Sequence, residues 1–205
     1  MRYLLLSNVM LMLAGCSYPY RSLRSLPADQ LCASQFRPEF SNELYNTHVN
    51  ISGRHLSGLL LVKQMPDTTY RVVFSTETGV KFFDFAFGGQ EDFKVHYIMR
   101  KLDKKVVINA LRNDFNFLLM NNIPATAAQV MKGNGMLYHA YPMREKTVYY
   151  LTDTLCKKFV RAEMGSSKKP LAEATWTPAG KSSPDSITIR HHNFDFSITL
   201  KKLER

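Results

Sequence analysis

Six histidines, three cysteines and a few neighbouring carboxylates are the side chains of this 205-residue chain that could do chemistry. His191-His192 with Asp195 is the densest cluster of metal-ligand type, but adjacent strand residues point to opposite faces, so the two imidazoles do not readily meet one ion. His48, His55, His96 and His139 stand alone and read as ordinary surface or satisfied core histidines. Glu77, Asp84, Glu91 and Asp92 are close in sequence, yet nothing in their spacing makes two of them an acid–base pair. Gly133-Asn134-Gly135 lacks the lysine and the strand–helix context of a phosphate loop and reads as a turn. No Gly-x-Ser-x-Gly nucleophile motif occurs. No metal and no cofactor is therefore expected, and the chain is expected not to be an enzyme, an envelope hydrolase being the minor alternative. Cys32 and Cys156 leave two alternatives open, a disulfide or two unrelated thiols, because sequence does not supply the short Cα separation a disulfide needs.

The third cysteine has a more telling context. Met1-Arg2 is a short basic start, and Tyr3 to Leu13 is mostly apolar. A run of that length falls short of the roughly 20 residues that span a bilayer and suits a signal peptide. Leu13-Ala14-Gly15-Cys16 follows and resembles the lipobox of bacterial lipoproteins. The resemblance implies a diacylglycerol thioether on Cys16 and cleavage after Gly15; a plain secretory signal with a chance cysteine is the alternative. A multi-chain lipid anchor holds stably without spanning. Ser17 follows in place of an aspartate, which by analogy with enteric bacteria favours the outer membrane, with the protein facing the periplasm. The expected organisation is a lipoprotein signal peptide at 1–15, a lipidated N-terminus and tether at 16–44, and one domain at 45–205.

The net charge of +10 calls for an anionic partner. A lipobox takes nucleic acid out of reach. The doublets Arg100-Lys101, Lys104-Lys105, Lys157-Lys158, Lys168-Lys169 and Lys201-Lys202 then suit solvated faces, anionic headgroups or an acidic periplasmic carrier protein. A monomer is expected.

The elements that would position these groups are mostly strands. Three turn signals, Met65-Pro66-Asp67, Glu77-Thr78-Gly79 and Gly88-Gly89, divide the stretch from Ser57 to Ile98 into a meander. Tyr70, Val72 and Phe74 alternate with Arg71, Val73 and Ser75, and Phe83, Phe85 and Phe87 with Phe82, Asp84 and Ala86, giving one strongly aromatic face. Val107, Leu111, Phe115 and Leu118 recur at helical spacing between Leu102 and Met120, with Asp103 near the expected start. Residues 125–135 have no decisive pattern. Strands return from Met136, the last alternating Phe194, Phe196, Ile198 and Leu200 with polar residues. About ten strands around one strong helix predict a mainly β, α+β fold: one large curved antiparallel sheet with its concave face plugged by the helix.

Several stretches in this order resemble the LolA/LolB-like lipoprotein-localisation superfamily, especially its LolB-type outer-membrane lipoproteins. They are the lipobox, the strand opened by Ser57-Gly58, the hairpin from Tyr70 through Phe85, Leu111-Arg112-Asn113-Asp114-Phe115 on a helix, and the final pair of strands. The resemblance covers roughly Tyr45 to Leu203. It implies a half-open barrel of about eleven antiparallel strands, its concave face covered by helices, whose apolar cavity takes acyl chains of lipoprotein or phospholipid and passes lipoproteins to the outer membrane. Leu59, Leu61, Tyr70, Val72, Phe74, Phe83, Phe85, Phe87, Leu111, Phe115, Phe194, Phe196 and Ile198 are the expected lining. The hairpin tip Thr78-Gly79-Val80 matches the family's membrane-insertion loop, with Thr78 where the family has a protruding apolar residue and Val80 as a partial substitute. The alternative is a non-enzymatic assembly subunit of an outer-membrane machine with the same fold and a filled core.

Overall fold

A computed structural model describes residues 20, 22–27, 32–89, 92–121, 123, 129–143, 146–166 and 169–204. The signal and the lipobox with Cys16 lie outside the described residues.

Alternating runs form strands wherever a turn can return the chain. β2 (Asn42–Ile51) and β3 (Arg54–Gln64) pair from Asn42↔Lys63 to Ile51↔Arg54. Ser52 and Gly53, both at positive φ, close them in the two-residue turn whose twist suits a hairpin. The meander continues through β4 (Tyr70–Ser75), β5 (Lys81–Phe87) and β6 (Phe93–Ile98). A Cβ on Gly58 would run into the Ser75 carbonyl, so the close approach of β3 to β4 requires glycine there.

The second half of the chain supplies β7 (Gln129–Gly133), β8 (Met136–Met143), β9 (Lys146–Asp153), β10 (Phe159–Gly165), β11 (Pro170–Thr177), β12 (Ser186–His191) and β13 (Phe196–Lys202). With β1 (Arg24–Leu26), they form one antiparallel sheet in the order β1-β7-β8-β9-β10-β11-β12-β13-β2-β3-β4-β5-β6. The sheet is open, with β1 and β6 as its edges. Between β6 and β7 the chain crosses from one edge towards the other as α1 (Lys105–Leu119).

This corrects the expected architecture of a half-open barrel covered by helices. Among the described residues there are thirteen strands, one α-helix of fifteen residues and one 3-10 turn (Ala33–Phe36), so no layer of helices covers the sheet. The physical reason lies in the side chains. The large rings of β4, β5, β9 and β11 fill much of the interior themselves, and Gln129–Gly133, in the undecided stretch, pairs as β7. Asn134-Gly135, with φ +50 and +71, turns β7 into β8.

α1 begins at Lys105, two residues after Asp103, so the expected acidic group does not fall in its first turn, and no side chain caps it. Its far end stops at Met120, which takes the left-handed conformation. No helix among the described residues is long and apolar enough to cross a membrane.

The described part of the segment before Tyr45 packs on the sheet. Ala33, Phe36 and Phe40 are buried in the main core, and Phe36 meets Phe159. A smaller cluster on the opposite face of β8 and β9 lies under Tyr20 and Leu23. Tyr20 stacks on Tyr149 at 4.2 Å and donates to a Glu163 oxygen at 2.9 Å.

Candidate ligand-binding site

α1 bridges distant parts of the sheet through its last turns. The Phe115 ring meets Phe83 and Phe87 of β5, at 5.9 and 5.8 Å between centroids. On β9, Tyr150 donates its hydroxyl to the Phe117 carbonyl at 3.0 Å. On β12, His191 Nε2 meets both oxygens of Asp114, at 2.9 and 3.0 Å. Asp114 is fully buried, and that burial holds its carboxyl above the usual range against the opposing hydrogen bond and charge of His191. Burial likewise raises the Tyr150 phenol. These contacts fix the C-terminal half of the helix.

The N-terminal half of α1 is held differently. Leu102, Val107 and Leu111, with Phe115, roof a narrow seam whose floor is Val49, Ile51, Leu56, Leu60, Phe74, Phe83, Phe196 and Ile198. Every lining side chain is apolar, and the free volume is only about 30 Å³.

Six of the expected lining residues converge here: Phe74, Phe83, Leu111, Phe115, Phe196 and Ile198. Tyr70, Val72, Phe85 and Phe87 are buried in the same core without facing the seam. Leu59 and Leu61 are half-buried, while their neighbours Leu60 and Val62 take the core positions. An unbroken Leu-Leu-Leu-Val run hides which parity faces inward, and one step along a strand reverses the face. Val49, Ile51 and Leu56 are lining residues that the sequence reading missed. Their signal was the alternation of β2 carried into its hairpin partner.

Phe194 is 39% exposed and faces a second depression across the helix from the seam. That pocket, of about 290 Å³, carries Asn109 and Asn113 from α1, Lys146 from β9, and His191 and Asn193 beside Phe194. A larger crevice of about 470 Å³ near the C-terminus mixes Glu43, Asp185, Glu204 and Lys202. Lys202 is already engaged there with Glu43 at 3.1 Å and Ser183 at 2.6 Å, which leaves no convergent set for a ligand.

The hairpin tip Thr78-Gly79-Val80 lies between β4 and β5, with Gly79 at φ +88 and Val80 54% exposed. The Val80 amide donates to Thr76 Oγ1, and the two threonine hydroxyls of the tip, Thr76 and Thr78, are 2.9 Å apart.

On the outer face of the same hairpin, Asp84 takes two bonds from Arg71 and one from Lys81 at 2.8 Å. Burial pushes its carboxyl up, but the Arg71 and Lys81 hydrogen bonds, with their charges, win and leave it below the usual range.

The cysteine alternatives resolve to a disulfide, Cys32–Cys156, with 6.1 Å between Cα atoms. It ties the 3-10 turn to the β9–β10 connection. His139 joins the two sulfurs in a cluster of donors within 4.8 Å of one another. Sulfurs bonded to each other lack the thiolate charge that binds a metal, so this set does not hold an ion in the disulfide state.

No protein-family model matches the sequence, and no curated protein does. Among solved structures, a DUF1329 family protein from Desulfovibrio piger ATCC 29098 is similar with a TM-score of 0.49 at 10% identity. That similarity covers 85% of this chain and 88% of the other. A proposed outer membrane lipoprotein-sorting protein domain from Vibrio parahaemolyticus is similar with a TM-score of 0.49 at 8% identity, over 84% and 87% of the two chains.

Proposed function

We propose that this chain is an outer-membrane-anchored, periplasm-facing lipoprotein that binds acyl chains of lipids or lipoproteins beneath α1, with no bond-making chemistry. The observation that carries the reading is the wholly apolar seam roofed by the loosely held half of the helix. Sites that enclose small ligands have volumes of about 300–1,000 Å³, roughly tenfold more than the seam offers. Binding therefore requires the N-terminal half of α1 to lift while Asp114 and Phe117 stay anchored. An acyl chain then replaces the contacts that Val107 and Leu111 make with the sheet. The basic surface, at +10 overall, suits anionic headgroups or an acidic carrier, and Val80 at the hairpin tip is the apolar group offered to a membrane.

The test is a titration of the purified chain with a fluorescent fatty acid, alongside Val107→Glu, which places a carboxylate in the half-buried roof of the seam. Saturable binding that Val107→Glu weakens at least tenfold, with an unchanged circular dichroism spectrum, is the expected result. Equal binding by the two proteins would remove the seam as the site. Complete failure to bind would favour the assembly-subunit reading, to which the filled seam is the specific pointer.

A further inference from the structure

The pocket on the other flank of α1 is mixed where the seam is wholly apolar: Val106, Ala110, Met164, Leu171 and Phe194 share its lining with the polar side chains. Val106 and Ala110 border the pocket, while their chain neighbours Val107 and Leu111 border the seam, so the two spaces lie on adjacent faces of the same helical turns. On the sheet side the partition is Phe194 against Phe196, stacked at 5.7 Å, with the His191 ring against both at 4.6 and 5.0 Å. Lifting the N-terminal half of α1 would join the two spaces into one cleft, wholly apolar on one side and bearing an ammonium and amides on the other.

Lys146 is the formally charged side chain among the described residues of this pocket's lining. Among the described residues its lining contains no carboxylate, and Lys146 forms no ion pair. Asp114 lies behind the His191 ring with no exposure and both its oxygens meet Nε2; the Lys146 charge acts on it too, lowering its carboxyl against the effect of burial, so Lys146 is balanced in part from within. Asn109, Asn113 and Asn193 add amide groups around the half-buried ammonium. An ammonium with amide donors is a recognition set for a phosphate or carboxylate.

We infer that this pocket receives the anionic head of the amphiphile whose acyl chain enters the seam, so the ligand class is a phosphate- or carboxylate-headed lipid. This rests on the acyl-binding reading above. Lys146 and the three asparagines hold the head, the seam holds the tail, and the turn of α1 carrying Val106, Val107 and Ala110 closes over their junction.

The experiment compares ligands of one chain length in the full chain: dodecyl phosphate, dodecanoate, neutral monododecanoylglycerol, and inorganic phosphate alone. Affinities are measured by calorimetry below micelle-forming concentrations. A charge-assisted hydrogen bond in a partly buried site predicts about a tenfold preference for the two anions over the neutral lipid. Lys146→Gln should erase that preference while leaving binding of the neutral lipid unchanged. Asn113→Leu, which removes an amide from the pocket without touching a charge, should reduce the preference in part, and it stands in if Lys146→Gln fails to fold. Equal affinity for all three lipids overturns the head pocket and leaves the acyl site standing. Binding of inorganic phosphate as tight as that of dodecyl phosphate overturns the amphiphile in favour of a free anion. Failure of every lipid to bind removes the acyl reading and this inference with it.

Discussion

The two halves of α1 make the most informative contrast in the molecule. From Asp114 to Leu119 every side chain is buried, and Asp114 and Phe117 are each bonded to a different strand. From Lys105 to Asn113 only Leu111 is fully buried, nothing caps the start, and a cavity lies along each flank. Burying a large apolar side chain contributes about 1.5–3 kcal/mol, so Phe115, Phe117, Leu118 and Leu119 secure their half several times better than Leu111 secures the other. A helix anchored at one end and lightly held at the other can open locally at a small fraction of the global unfolding free energy.

The largest effect should come from the anchor. His191→Leu leaves Asp114 buried without its partner, a loss of about 3–5 kcal/mol. Val107→Ala, in the half-buried roof, should cost about 1 kcal/mol. Urea unfolding of the two variants tests the contrast directly, and similar losses would break it. Next comes the disulfide. Its 124-residue separation makes loop closure in the unfolded chain costly, and Cys156→Ser should destabilise by about 2–5 kcal/mol. Arg37, close to this staple, donates to the Asn121 side-chain oxygen just past the end of α1. Loss of the disulfide should therefore raise amide exchange near residues 117–121 more than near 107–111.

How far these features were legible in the sequence follows from what kind of signal each one leaves. Period-two runs such as Tyr70-Val72-Phe74 and the stripe Val107-Leu111-Phe115-Leu118 are local, and both faces came out as read. The run from Leu59 to Val62 is apolar on both parities, so its pattern does not separate the expected Leu59 and Leu61 from Leu60 and Val62, which hold the inner face. β1 is three residues long and exposed, and it pairs with β7, which no three-residue window announces. The Asp114–His191 contact spans 77 positions and the cysteine pair 124. Convergence at that range belongs to sheet order, which alternation alone does not determine. The expected helical cover fails for the same reason: periodicity predicts one helix, and any further cover rests on the family resemblance alone.

The contrast between inner and outer faces has its own test in pH. Asp84, on the face away from α1, is depressed in the folded state. Its contribution is complete above the unfolded carboxylate value of about 4 and is lost as pH falls through the folded value. Asp114 is raised, so its ionisation contributes with the opposite sign, favouring the folded state at low pH and fading as pH rises through its folded value. Melting temperatures followed from pH 6 down to pH 2.5 should fall less steeply in Asp84→Asn than in the parent below about pH 4. Asp114→Asn should leave that acid limb unflattened while lowering stability throughout. A flattened limb in Asp114→Asn instead would mean that His191 outweighs burial and holds the inner carboxylate below its ordinary value, as Arg71 and Lys81 hold Asp84.

The smallest effect separates two ways in which the weak half of α1 could open. Val106 is 78% exposed on the first turn, where a β-branched residue is a poorer helix former than alanine by about 0.5 kcal/mol. Val106→Ala therefore stabilises the helical form of residues 105–113 while touching little of the seam. Opening by local unwinding would carry that difference into acyl binding as a roughly twofold weaker affinity, with slower amide exchange over 109–113. Opening as an intact helix swinging about Asp114 leaves helix propensity the same in both states, and affinity would not move. The uncapped start and the absence of an acidic residue in the first turn favour unwinding, so the twofold loss with slower exchange is the expected outcome.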